Sequence, residues 1–343
     1  MEPIIYSLPK SEKSINPLDL RTSFEPDPSP KLIKYGFNNI AEQLNMIALT
    51  AIPQYRAGLE FDFNMDNKDS IVHHVDKVLK TNDFDQTFGE LWEIIVLFSI
   101  IKPGVIFSMD KSTSNVINTY LKFTKQNINV NVVSNYNSIK GPVSTVIYKY
   151  SDINIDENAA VQFIINELPE LLSIQSTGSN MIIQLSNLQT QISAEIIVLL
   201  STLYTESYLY KPTIVSDLAD TKYLVLLNLK QPFQLTIPDH PENMYLTSLG
   251  IGRTANYDNI IQCMNSDIVP RKYKRYHMIR SYLDTKVYEG STYQEFIQLQ
   301  NANIDKWLET FANPDNYSAL LNVSLEKTNE KCGIYFKLTN IFN

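Results

Sequence analysis

From about residue 104 the chain falls into short apolar runs separated by segments whose apolar residues recur three and four positions apart. The runs GVIFSM (104–109), INVNVVS (128–134), PVSTVIYKY (142–150), NMIIQLS (180–186), SYLYKP (207–212) and KYLVLLNLK (222–230) read as strands. NVINTYLKFTKQ, AAVQFIINELPELLSI and the long apolar SAEIIVLLSTLY read as helices between them. Strands alternating with helices predict an α/β fold, a mostly parallel sheet with helices on both faces. The last two strands are separated only by TIVSDLADT, too short for a helical crossover, so they are expected to pair antiparallel.

The flanks follow other rules. Residues 1–30, ending FEPDPSP, are punctuated by proline and charge and read as an extended arm, a loosely packed tail or a partner-binding segment. KYGFNNIAEQLNMIALTAI and HHVDKVLKTNDFDQTFGELWEIIVLFSII make residues 31–103 a helical N-terminal extension. Residues 104–235 form the α/β core. Residues 236–343 read as a helical C-terminal extension, through NYDNIIQCM, PRKYKRYHMIRSYLDTKV and TYQEFIQLQNANIDKWLETF. It closes with a predicted terminal hairpin of ALLNVSLEK and GIYFKLTNIF about the turn TNEKCG.

Composition narrows the functional classes. With 343 residues, 44% of them hydrophobic, the chain can bury a substantial core. Glycine is scarce, 10 residues in all, or about 3% against a usual ~7%, which argues against Gly-rich phosphate or nucleotide loops. The net charge of −8 leaves no global positive field to draw the protein onto nucleic acid or an anionic membrane. Two cysteines, Cys263 and Cys332, provide neither a disulfide framework nor a zinc finger and suit a reducing compartment. The N-terminus MEPIIYSLPK has no signal-peptide pattern, and the longest apolar runs are too short or interrupted to span a bilayer. A soluble, cytoplasmic protein with no membrane partner is the expectation.

The stretch from Gly178 to Asn228 carries a further pattern: a Gly-led hydrophobic strand, a helix ending at Leu203 and Tyr204, the Tyr210-Lys211-Pro212 strand and a strand returning from Tyr223. It resembles the C-terminal half of the FtsJ-like ribose 2′-O-methyltransferases of large DNA viruses, and the likeness extends over roughly residues 85–310. The resemblance implies a Rossmann-like methyltransferase sheet with an antiparallel last strand, flanked by the helical extensions.

The functional positions depart from that family. Its Lys-Asp-Lys-Glu set supplies general-base and electrostatic help at the 2′-hydroxyl. The resemblance puts the second lysine at Gln184, which carries no charge, and the glutamate near Asp220 or Thr221, in a loop lacking the family's Ser-Arg signature. The strand that should end in the catalytic aspartate reads TVIYKYSDI, so Asp152 and Lys211 are the available stand-ins. After GVIFSM the family has an acidic residue and a Pro-Gly-Gly turn against S-adenosylmethionine. Here Asp110 stands in the acidic position, followed by Lys111, Ser112, Thr113 and Ser114, with no glycine and with side chains that would crowd the ligand.

Four other features bear on function. His73 and His74 lie beside Asp76, but adjacent helical residues point about 100° apart and no third ligand is spaced to join them, so a solvated helix face outweighs a metal. The cysteines read as small buried apolar residues, ahead of a nucleophile pair with His277. Gly250-Ile251-Gly252 reads as a turn. Arg271, Lys272, Lys274, Arg275 and Arg280 form a basic window interleaved with Tyr273 and Tyr276, suited to a solvated amphipathic face, an RNA contact or docking on an acidic protein.

The leading expectation is a catalytically silent methyltransferase-fold subunit, without a cofactor, that binds and stimulates or scaffolds the catalytic subunit of an mRNA-capping or RNA-processing complex, with RNA reached through that partner. The precedent in kind is the small subunit of the poxvirus mRNA-capping enzyme. The location expected is cytoplasmic, including a virion or viral factory. The alternatives are an active, divergent cap ribose 2′-O-methyltransferase using S-adenosylmethionine, and a structural or RNA-tethering protein.

Overall fold

The computed structural model describes residues 3–10, 20–26, 68–81, 84–150, 157–237, 244–285, 291–313 and 317–342. The strands are β1 (Ile4–Ser7), β2 (Ser23–Glu25), β3 (Gly104–Ser108), β4 (Val130–Val133), β5 (Val143–Tyr148), β6 (Gln175–Leu185), β7 (Tyr204–Lys211), β8 (Lys222–Leu229) and β9 (Tyr245–Ser248). The helices are α1 (Lys68–Leu79), α2 (Gln86–Phe98), α3 (Ser112–Phe123), α4 (Glu157–Ser173), α5 (Gln191–Leu203), α6 (Ala255–Thr285), α7 (Ser291–Phe311) and α8 (Tyr317–Phe342).

Seven strands form one sheet in the order β1-β7-β8-β6-β5-β3-β4. Strands β3 to β7 share one direction, while β8, between β6 and β7, and β1, at the edge, oppose them. The protein is thus a Rossmann-like α/β fold, and the antiparallel pairing of the last two core strands is as the short connection requires.

Both sheet faces are covered, which is why runs such as LVLL in β8 are apolar without interruption. On β6, Met181, Ile183 and Leu185 face a core built with α4, α5 and α6. Ile182 faces a second core built with α1, α2, α3 and α7. Helix α2 crosses the middle of that second core. Every residue from Phe88 to Phe98 is buried, and the Asp85 carboxylate caps its start by accepting from the Phe88 N–H at 2.6 Å.

Four expectations change. First, the arm is not loosely packed at its start. Ile4 and Tyr6 enter one core and Ile5 the other as β1 pairs with β7, with Pro3 and Pro9 confined to the ends of an edge strand. Second, the terminal hairpin is replaced by the single helix α8. Among its described side chains, Tyr317, Ser324, Thr328 and Cys332 are the buried ones, a helical period that overrides the local alternation. Third, Pro270 does not divide two helices but lies within α6. Fourth, the segment after residue 235 contributes β9, which pairs with β2 and turns at Gly250, where φ is +68° and the backbone abuts Arg21. The predicted helix KYGFNNIAEQLNMIALTAI lies outside the described residues.

Candidate functional site at the carboxyl edge of the sheet

The parallel strands β3 to β7 deliver their carboxyl ends to one edge, where ligands bind in open α/β sheets. The chain leaves β3 for β4 on one side and returns to β5 on the other, so the topological switch point lies between β3 and β5. Three groups of side chains occupy this edge.

The first is the turn after β3. The Asp110 carboxylate accepts from the Ser112 N–H at 2.7 Å, and the Asp110 carbonyl accepts from the Thr113 N–H at 3.3 Å. Thr113 is fully buried, its hydroxyl 2.7 Å from that of Ser108, while Lys111 and Ser114 are exposed. The first N–H of α3, the place where a helix can hold an anion, is therefore taken by a carboxylate of its own turn.

The second group faces α2. Lys149, just beyond β5, pairs with Glu90 at 2.7 Å and donates to Thr87 at 2.7 Å. The Tyr223 hydroxyl donates to the same Glu90 at 2.5 Å, and Gln86 does so at 2.8 Å. Burial, reinforced by Glu90, pushes the Tyr223 phenol well up. Gln184 is directly opposite Tyr223 across β6 and β8 and is buried, its carboxamide oxygen without a hydrogen-bond partner among the described residues.

The third group lies on the opposite face, in the loop between β7 and β8. Lys211 donates to the carbonyls of Ser216 at 3.1 Å and Ala219 at 2.8 Å, closing that loop on itself. Burial, with Lys222 nearby, brings the Lys211 ammonium down to about 8, against the pull of Asp217 and Asp220. Lys222 is buried as well, donates to the carbonyl of Asp220 at 3.0 Å, and is held below its ordinary range by that burial. Lys272, reaching over from α6, grips both Asp220 carboxylate oxygens at 2.8 and 2.9 Å. Burial works to raise the Asp220 carboxyl, but Lys272 and Lys222 outweigh it and hold it below the usual range.

Two buried glutamates fasten the surrounding loops. Glu157 accepts from the N–H groups of Gln189 and Thr190 and from the Thr190 and Ser193 hydroxyls, filling the N-terminus of α5. Glu93 accepts from Thr213 N, Thr213 Oγ1 and Ile214 N, each at 2.8 Å, from Trp307 Nε1 at 2.7 Å, and from the Tyr210 hydroxyl. Burial raises both carboxyls, opposed by these hydrogen bonds.

The structure thus brings Gln184, Asp220 and Lys211 to one edge, on different faces of it. Asp152 lies outside the described residues. Of the basic window, Arg271 and Lys274 are exposed, and Tyr273 is 48% exposed with His277 stacked edge-on at 4.2 Å. Lys272 departs from the expectation: it points inward to Asp220 rather than outward. Arg275 is half-buried with Asp217 at 3.7 Å, and the Arg280 side chain lies outside the described ones. Glu90, Glu93, Lys149, Glu157 and Lys222 escaped the sequence reading. Their signal was charge inside apolar runs, as in GELWEIIVLF, since a buried charge needs a partner. Among the described residues no three His, Cys, Asp or Glu side chains gather as metal ligands, and no helix is long and apolar enough to cross a membrane.

These features define a Rossmann-like α/β protein whose carboxyl edge is occupied by internal ion pairs and buried carboxylates. No protein-family model matches the sequence. The chain is 41% identical over 350 residues, covering the whole of both chains, to R383, an uncharacterized protein of Acanthamoeba polyphaga mimivirus, and it belongs to the family of that viral protein.

Proposed function

We propose that the protein is a catalytically silent methyltransferase-fold subunit of a viral cytoplasmic mRNA-capping or RNA-processing complex, acting by binding and stabilising the active form of a catalytic partner. The sheet order supports the fold half of this reading, because β8 runs antiparallel between β6 and β7, the return strand that the FtsJ-like resemblance calls for. The observation that carries the silent half is the carboxyl edge itself. At the end of β5, where the resemblance calls for a catalytic carboxylate, Lys149 is engaged with Glu90. The lysine position on β6 is the uncharged Gln184. On this reading the turn after β3 has lost the glycines that the family sets against S-adenosylmethionine, and Asp110 accepts from the Ser112 N–H, so no methyl-transfer step is assigned to this chain.

The test is reconstitution. A tagged copy is purified from infected cells, its co-purifying proteins are identified by mass spectrometry, and cap methylation is measured for those proteins with and without this chain. Recovery of a guanylyltransferase or cap methyltransferase whose rate rises several-fold on adding the protein is the expected result. Absence of any RNA-modifying enzyme, or methylation indifferent to the protein, would overturn the reading.

A further inference from the structure

The chain has two cysteines, 69 positions apart, and the fold brings them together. Cys263 lies on α6 and Cys332 on α8, both buried in the same core. One residue from Cys332, Lys331 reaches the Asp267 carboxylate at 3.2 Å, and Asp267 is one helical turn on from Cys263. The two helices are therefore in register along their crossing, with the ion pair beside the thiols. The neighbouring Cys332, together with burial, pushes the Cys263 thiol up, and the neighbouring Cys263 draws the Cys332 thiol down against the opposing effect of burial. Asp267 is further fixed by the Tyr6 hydroxyl at 2.5 Å. A cleft of about 480 Å³, lined by Ile4, Asp267, Arg271, Thr328 and Lys331 among others, opens beside the Asp267–Lys331 ion pair that flanks the thiols.

We propose that Cys263 and Cys332 are a thiol-oxidation site, converted by a hydroperoxide into a disulfide that locks α8 to α6. The Cys332 thiolate attacks the peroxide, forming an S–O bond as the O–O bond breaks. Hydrogen peroxide thereby releases one water and leaves a sulfenic acid. The Cys263 sulfur then attacks the Cys332 sulfur, the S–S bond forms, and the departing hydroxide takes the Cys263 proton as a second water. Two thiols and one peroxide yield one disulfide and two waters. The disulfide ties down the C-terminal helix, which packs on β1, and with it the helix that carries Lys272 to Asp220.

The test uses the full-length chain, reduced, treated with hydrogen peroxide, then denatured, alkylated with iodoacetamide and weighed intact. The expected product is a monomer lighter by two hydrogens that takes up no alkyl group, and dithiothreitol restores two alkylatable thiols. Its Tm rises by about 5 °C over the reduced protein, the order expected for closing a loop of this length in a chain of this size. Cys263→Ser and Cys332→Ser are expected to lose that thermal response. Two alkyl groups on the peroxide-treated monomer, oxygen adducts that dithiothreitol does not reverse, or a disulfide only between two chains would each overturn the proposal.

Discussion

Glu93 joins three parts of the fold, and replacing it measures how firmly the carboxyl edge is held. It sits on α2 and binds the backbone of Thr213 and Ile214 in the loop after β7, together with Trp307 of α7. In Glu93→Gln the remaining carbonyl can keep the donors now on Oε1, namely Ile214 N, Trp307 Nε1 and the Thr213 hydroxyl. The amide NH2 would then face Tyr210, whose hydroxyl can turn to accept, and the Thr213 N–H, which cannot. One orphaned buried N–H costs about 1–3 kcal/mol, so about 2 kcal/mol is the working figure. At ~2–4 °C per kcal/mol, Tm should fall by about 4–8 °C. Glu93→Leu strands three N–H groups, a loss of about 3–9 kcal/mol, comparable to the ~5–15 kcal/mol of a whole domain, and should not yield a folded protein. Thermal unfolding followed by far-UV circular dichroism, with tryptophan fluorescence reporting the core that holds Trp92 and Trp307, makes the measurement. A Glu93→Gln protein melting within about 1 °C of wild type, or a Glu93→Leu protein as stable as wild type, would refute the reasoning.

Three further outcomes follow from the same physics. Lys211 is folded with its ammonium at about 8, below the unfolded value of about 10.4, so the unfolded chain binds the extra proton and stability should rise with pH across that window. The span corresponds to about 3 kcal/mol, so wild type should gain Tm relative to Lys211→Met as the pH is raised from about 7 to about 10; a difference constant with pH contradicts it. Lys272→Met removes both contacts to the Asp220 carboxylate and should cost about 1–3 kcal/mol, most of it recovered in the double variant with Asp220→Asn; additive losses by chemical denaturation would disprove the coupling. Gly250→Ala places a Cβ about 2.7 Å from the Arg21 carbonyl at a φ of +68° and should cost about 1–3 kcal/mol. An unchanged unfolding midpoint would show that the β2–β9 pair does not hold that turn.

The strands and helices from residue 104 to 230 were legible because each apolar run is bounded by turn residues and both sheet faces are buried, which leaves a continuous signal. The terminal helix was not, since ALLNVSLEK alternates locally and only the longer period through Ser324, Thr328 and Cys332 reveals the buried stripe. Strand β1 was hidden because its pairing with β7 spans about two hundred residues, and Pro3 and Pro9 look like breakers until the strand is seen to lie between them. At the candidate site, Gln184, Lys211 and Asp220 were named through the family resemblance. The partners of buried charges could not be: nothing local to Lys149 names Glu90, and nothing local to Asp220 names Lys272. The basic window misled for a related reason, since sequence spacing does not say which cations of a helix turn inward.

The proposed silent fold stands or falls on whether this chain takes up S-adenosylmethionine, and titration calorimetry of the cofactor into the isolated full-length chain measures that. A silent fold predicts no binding heat with the cofactor raised to millimolar concentration. Saturable binding with a micromolar Kd, weakened by Asp110→Ala, would contradict it.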